Sequence, residues 1–215
     1  MVDAMQIVSG VICSAGHVDH GKSARVKCLT GVDTDTMPEE KQRGMSINLG
    51  FAPCRLPDGR CIGMIDVPGH EDFLRNMIAG ANVAHAALLV IAADEGIKPQ
   101  TVEHLRILRL LGLERLAVVL TKSDLVDQEL LGLAQTEAAE FVGRHGLRNV
   151  AICPVSCLTG EGMDALRNAM AILVAEAGTI RDAQAFRMNL LRCFTLHGRG
   201  TVVTGVPISG EARVG

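Results

Sequence analysis

Tryptophan and tyrosine are absent from this 215-residue chain, and it has only 5 phenylalanines. A core made from these residues is aliphatic, and the aromatic platforms on which single-stranded nucleic acid stacks are not evident. No block of like charge occurs: 21 Lys and Arg stand against 24 Asp and Glu, a net charge of −3. That balance leaves no strong electrostatic footprint for nucleic acid in this portion. No apolar run is long enough to span a bilayer, so neither membrane association nor a secretory leader is expected. The 7 cysteines are odd in number and include no C-x-x-C. They read as reduced thiols of a cytoplasmic protein, mostly in its core, rather than as disulfides or zinc ligands.

What is present is more specific. Gly16-His17-Val18-Asp19-His20-Gly21-Lys22-Ser23 has the form G-x-x-x-x-G-K-[ST]. It follows the apolar run Ile7–Cys13 and precedes a helix-capable segment, Lys22–Leu29. Strand, Gly-bounded loop and helix start make the setting of a phosphate cradle. Glycine lets the backbone turn and approach closely, and the loop and helix N–H groups then face anionic oxygens. Lys22 is placed to neutralise β- and γ-phosphates, and the Ser23 hydroxyl to hold Mg²⁺.

Apolar runs alternate with helical periods along the chain. Ile7–Cys13, Ile62–Ile65, Ala86–Ala92, Leu116–Leu120 and Val150–Val155 read as buried parallel strands. Ile47–Leu56 reads as a further strand, turned by Pro57-Asp58-Gly59 into an antiparallel pair. Helices are expected at Lys22–Leu29, Glu71–Ala81, Gln100–Leu111, Asp127–His145 and Met163–Ala177. The alternation implies an α/β doubly wound sheet with ligands at the carboxyl ends of its strands. Near Gly178 the pattern changes. Phe186–Thr195 and Thr201–Val206 read as strands joined by His197-Gly198-Arg199-Gly200. The expected organisation is a nucleotide-binding domain over 1–177, a linker over 178–185, and the first strands of an incomplete, truncated β-barrel over 186–215.

Three further segments bear on chemistry. Asp66-Val67-Pro68-Gly69-His70 ends a strand; its Asp is placed to reach Mg²⁺ through water, and the Gly69 N–H to sense a γ-phosphate. The same letters also describe a plain turn. Thr121-Lys122-Ser123-Asp124 ends another strand. Asp124 can accept from guanine N1–H and its 2-amino group, which adenine does not offer, while the Lys122 stem lies along the base. Asp124 also fits a helix N-cap. Ser156-Cys157-Leu158 follows the last strand and either presents N–H groups and the Ser156 hydroxyl to the guanine edge or is a simple connection. Between the first helix and the next strand, Ser46 in Arg43-Gly44-Met45-Ser46-Ile47 offers a second Mg²⁺ hydroxyl in the triphosphate state. Thr30–Gln42 has the character of a mobile loop whose acidic residues are mostly solvated. His17 and His20 are expected to shape their loop, and His85 and His104 to be structural or on the surface.

In this order the motifs resemble the translational GTPases. Leu29-Thr30-Gly31-Val32-Asp33-Thr34-Asp35, Pro38-Glu39-Glu40-Lys41-Gln42-Arg43-Gly44, Asn48-Leu49-Gly50-Phe51-Ala52 and Ala92-Ala93-Asp94-Glu95-Gly96 are similar to the selenocysteine-specific elongation factors. The run Phe194–Gly205 is similar to the opening of their second, barrel domain. The resemblance implies an elongation factor Tu-like G domain that binds GTP and GDP with Mg²⁺. It implies GTP hydrolysis that is slow until the ribosome stimulates it, and delivery of selenocysteinyl-tRNA at recoded UGA codons. Contact with a messenger RNA hairpin would need C-terminal domains absent here. The resemblance also implies that His70 orients the attacking water, that Val18 and Met45 form an apolar gate beside it, and that Asp19 lies near the phosphates. Ser23 and Ser46 stand where Thr is commoner, Cys157 where Ala is frequent, and Thr121 where Asn is usual, which predicts weaker nucleotide affinity. A regulatory GTPase subunit of a sulfate-activating enzyme and an initiation factor gamma-type GTPase share much of this pattern. An inert nucleotide-holding module is a third alternative.

Overall fold

The computed structural model describes residues 8–175, 185–210 and 212. Its contacts divide the chain into two units, Met1–Ala177 and Gly178–Gly215. The first unit holds strands β1 (Val8–Gly16), β2 (Gly50–Arg55), β3 (Cys61–Asp66), β4 (Ala86–Ala92), β5 (Leu116–Thr121) and β6 (Ala151–Pro154). They form one sheet in the order β2-β3-β1-β4-β5-β6. β2 and β3 run antiparallel through the turn at Asp58 and Gly59; every other pairing is parallel. β4 and β5 are buried along their whole length, the burial expected of strands covered on both faces.

The helices are α1 (Lys22–Thr30), α2 (Pro38–Arg43), α3 (Leu74–Asn82), α4 (Pro99–Leu110), α5 (Gln128–Arg144) and α6 (Met163–Ala175). Ile12, Ile62, Met64, Leu88, Ala117 and Val119 form one core with Val26 of α1 and Leu166, Met170 and Val174 of α6. Side chains alternate along a strand, so Cys13, Ile65, Leu89, Ile91 and Leu120 face the opposite layer. That layer is supplied by Met77, Leu105, Leu108, Phe141 and Val142 of α3, α4 and α5. Consecutive parallel strands therefore leave β1 in opposite directions. The crevice at its carboxyl end is the point where a doubly wound sheet takes its ligand.

Several boundaries differ from the sequence-based expectation, β1 running on to Gly16 and β8 to Ser209 among them, and three differences change an element. Pro38–Arg43 is a helix and not a loop: Pro38 opens it, and Glu40 Oε2 accepts from the Met37 N–H at 3.0 Å. Glu40 is buried, contrary to the solvated character expected of most acids there. β2 starts at Gly50 rather than Ile47 because the Ile47 and Asn48 N–H groups donate to Glu40 Oε1 at 3.1 and 3.0 Å. The helix expected at Glu71–Ala81 splits into a 3-10 turn, Glu71–Phe73, and α3. Residues 7, 176 and 177, and 178–184 of the expected linker, lie outside the described residues.

The second unit is described by one antiparallel hairpin, β7 (Arg187–Leu196) and β8 (Gly200–Ser209). Phe186, Leu190, Phe194, Leu196, Val203 and Ile208 are exposed on or beside it.

Candidate phosphate and base site

β1 ends at Gly16, whose N–H donates to His104 Nδ1 on α4 at 2.9 Å. Burial pushes the His104 pKa down to about 4, which keeps that nitrogen an acceptor. His104 is thus structural, and what it holds is the root of the loop. The Val18 N–H donates to Gln100 Oε1 at 3.3 Å. Asp19 is exposed at φ 62°, and Gly21 takes φ 79° as the N-cap of α1. No side chain caps α1, so its first-turn N–H groups open onto the loop. His20 is fully buried beneath it; neither ring nitrogen makes a hydrogen bond among the described residues, and Nε2 lies 3.8 Å from Glu95 Oε2.

Lys22 is 6% exposed, and its Nζ donates to the His17 carbonyl at 2.6 Å. Burial lowers its pKa to about 8, with Asp66 opposing the shift. An ammonium ion folded against one carbonyl inside a cradle of N–H groups lacks an anion of its own. Gly69 lies against it: a Cβ there would strike the Lys22 ammonium and come within 2.7 Å of the Val18 nitrogen. Only glycine lets this backbone reach the loop.

Hydroxyls and carboxylates gather beside the lysine. Ser23 Oγ and Ser46 Oγ are 2.8 Å apart, and Ser46 Oγ donates to Asp35 Oδ1 at 2.7 Å. Asp66 is buried and accepts from Ser14 Oγ and Thr34 Oγ1, both at 2.8 Å. Two hydroxyls flanked by carboxylates are hard oxygen donors, the set that suits Mg²⁺. Sequence reasoning missed Asp35, Thr34 and Ser14. Their signal is tertiary, because Asp35 meets Ser46 only once α2 folds the segment back. Met45 is half-buried, with its N–H on the Glu40 carbonyl at 3.2 Å. His70 opens the 3-10 turn: its Nδ1 accepts from the Asp72 N–H at 3.2 Å, and its ring lies 6.1 Å from that of Phe73.

At the other end, Thr121 Oγ1 donates to the His20 carbonyl at 2.7 Å, tying β5 to the phosphate loop. Lys122 adopts φ 57°, and its Nζ lies 2.9 Å from Glu95 Oε1 and 3.7 Å from Asp94 Oδ2. Asp124 is exposed and carries no hydrogen bond among the described residues. The N-cap of α5 is Asp127, which accepts from the Leu130 N–H at 2.9 Å, so that alternative for Asp124 falls. The Ser156 hydroxyl is turned into its own loop, accepting from the Leu158 and Thr159 N–H groups at 3.2 and 3.1 Å. Cys157 and Leu158 are exposed at its tip. Partial desolvation of the Cys157 thiol on its inner side, with Cys28 of α1 beside it, raises its pKa.

A glycine-bounded loop at the switch point, an enclosed lysine and an exposed carboxylate beyond β5 define a nucleotide-binding α/β domain of the P-loop type. The model of the elongation factor Tu GTP binding domain matches residues 9–176, and the chain belongs to that family. It is 45% identical over 211 residues to the selenocysteine-specific elongation factor of Desulfomicrobium baculatum, covering 98% of this chain and 33% of that protein. It is 36% identical over 231 residues to translation initiation factor 2 subunit gamma of Thermococcus kodakarensis, covering 93% of this chain and 56% of that protein. The crystal structure of a bacterial selenocysteine-specific elongation factor superposes with a TM-score of 0.88 at 41% identity, over 95% of this chain and 35% of that one. The elongation factor SelB from Methanococcus maripaludis, in complex with the GTP analogue GppNHp, gives 0.80 at 32% identity, over 96% and 43%. The chain spans about a third of the length of the selenocysteine-specific relatives it matches.

Proposed function

We propose that this chain is the guanine-nucleotide-binding portion of a selenocysteine-specific elongation factor. In this reading it binds GTP and GDP with Mg²⁺ and hydrolyses GTP to GDP and phosphate in the cytoplasm. It acts with the ribosome in placing selenocysteinyl-tRNA at recoded UGA codons, and contact with a messenger RNA hairpin belongs to parts outside these residues. Residues 1–177 form the G domain, 178–185 a linker and 186–215 the opening strands of a second β-domain; the exposed apolar residues of the hairpin support the last of these. The observation that carries the reading is the convergence of the Lys22 ammonium, the Gly69 backbone and the two serine hydroxyls at the carboxyl end of β1.

The residues divide the work. Backbone N–H groups of the loop up to Ser23, apart from those of Gly16 and Val18 that His104 and Gln100 accept, cradle the phosphates with the uncapped start of α1, and Lys22 neutralises them. Ser23 and Ser46 offer their hydroxyls to Mg²⁺, with Asp66 behind and acting through water; the ion supplies charge neutralisation at the phosphates. Gly69 N–H faces the γ-phosphate position. The His70 Nδ1 is occupied by the Asp72 N–H, so Nε2 is the nitrogen left to orient a water. Val18 and Met45, both half-buried, screen that water, and Asp19 lies beside the loop. Catalysis of this kind rests on positioning and charge more than on a strong base. Asp124 tests the base edge, the Lys122 stem covers its face, and Thr121, Ser156, Cys157 and Leu158 shape the wall around it.

The test uses a polypeptide that also supplies the remaining two thirds of the relatives' length. With GTP bound, it should protect selenocysteinyl-tRNA from deacylation and leave seryl-tRNA and other aminoacyl-tRNAs unprotected. Equal protection of all of them, or of none, contradicts the assignment.

A further inference from the structure

The loop between β4 and α4 reaches the base end of the site, and none of the nucleotide motifs includes it. At its centre is Glu95. Lys122 Nζ is 2.9 Å from Glu95 Oε1, Lys98 Nζ is 3.5 Å from Oε2, and His20 Nε2 is 3.8 Å from Oε2. Burial lowers the His20 pKa to about 4, so its contact is polar rather than ionic. The backbone around Glu95 is fixed. Ala93 N–H donates to the Thr121 carbonyl at 2.8 Å and Gly96 N–H to the Ala92 carbonyl at 2.9 Å. The carboxylate therefore stands on a turn hydrogen-bonded to the strand end that carries Lys122.

A lysine side chain left free has rotamer entropy to lose on being ordered. Lys122 has already given up part of that freedom, because its ammonium is engaged by Glu95. We infer that Glu95 is a positioning residue for the base: it anchors the Lys122 ammonium so that the lysine stem is laid out as a preformed platform before the nucleotide arrives. Preorganisation of this kind raises affinity by reducing the ordering cost of binding. Glu95 touches neither phosphate nor cation ligand, so its effect falls equally on GDP and GTP. The inference rests on the proposed nucleotide site and adds to it a residue from outside the motifs.

The test is a double-mutant cycle read by equilibrium titration with fluorescent GDP and GTP, with melting temperatures taken to confirm folding. Glu95→Gln should weaken both nucleotides by the same factor, about fivefold to thirtyfold. Glu95→Asp should recover part of the loss. On a Lys122→Ala background, Glu95→Gln should change nothing. Affinities within twofold of wild type for Glu95→Gln would overturn the inference, as would an undiminished loss on the Lys122→Ala background. Failure of the wild-type chain to bind GDP is a different result: it removes the nucleotide site itself and the inference with it.

Discussion

At the residue scale, two side chains make opposite demands. Asp124 is legible in the sequence because a carboxylate after Thr121-Lys122-Ser123 has a chemical reason to be there. The structure leaves it without a protein partner and assigns the capping role to Asp127. Asp124→Asn should weaken guanosine nucleotides and admit xanthosine nucleotides, because the amide donates where the carboxylate accepted. Because the site is built to hydrogen-bond the base edge, the change in preference should be about a hundredfold or more. Competition of xanthosine diphosphate against fluorescent GDP measures it, and no gain for xanthosine contradicts the role. Arg25 could not be read in this way. It is fully buried in α1, none of its guanidinium nitrogens has a hydrogen-bond partner among the described residues, and burial drives its pKa down to about 10. Asp66 is the charge that most offsets that cost. Arg25→Leu should therefore stabilise the protein by about 2 kcal/mol or more, since an unsatisfied buried cation is removed. Urea unfolding of the two proteins measures this directly, and a loss of stability would mean that the guanidinium is paired.

At the scale of elements, long periodic segments were readable and short ones were not. β4 coincides with the expected Ala86–Ala92, and α5 lies within one residue of the expected ends. α2 escaped because six residues carry too little hydrophobic period to announce a helix. Its stability comes from one carboxylate. Burial alone would raise the Glu40 pKa, yet N–H groups of Met37, Asn48 and Ile47 overcome that and hold it below its ordinary value. Those bonds fold the segment back and bring Ser46 to Ser23. Glu40→Gln turns one of the two oxygens that three N–H groups share into a donor facing an N–H, and should cost about 2 kcal/mol locally. Because Ser46 is proposed to serve the triphosphate state, GTP affinity should fall at least about fivefold while GDP changes less than about twofold, a coupling of ordinary size. Stopped-flow titration with both nucleotides at fixed Mg²⁺ separates the two. An equal loss for GTP and GDP would show that α2 supports the fold and not the state of the nucleotide.

Across the whole molecule, the site was legible wherever one contiguous segment carries its own chemistry. The loop 16–23, the strand-end Asp66 and Gly69, and the segment 121–124 are of that kind, and the structure gathers them at the carboxyl ends of β1, β3 and β5. What stayed hidden depends on segments distant in sequence: His104 under Gly16, Thr121 against His20, Asp35 on Ser46 and Glu95 on Lys122. The unusual Thr121 illustrates the difference. Read alone it predicts a weaker site, whereas in the structure its hydroxyl braces the phosphate loop. The central claim is that this loop, with Lys22 enclosed in it, grips a nucleotide's phosphates. The most direct measurement is equilibrium titration of the folded chain with fluorescent GDP and GTP in Mg²⁺, repeated with Lys22→Ala. Saturable binding of both nucleotides by the wild type, lost by about a hundredfold in Lys22→Ala at unchanged folding, is the predicted result. Binding that survives Lys22→Ala intact, or no binding by folded wild-type protein, would contradict it.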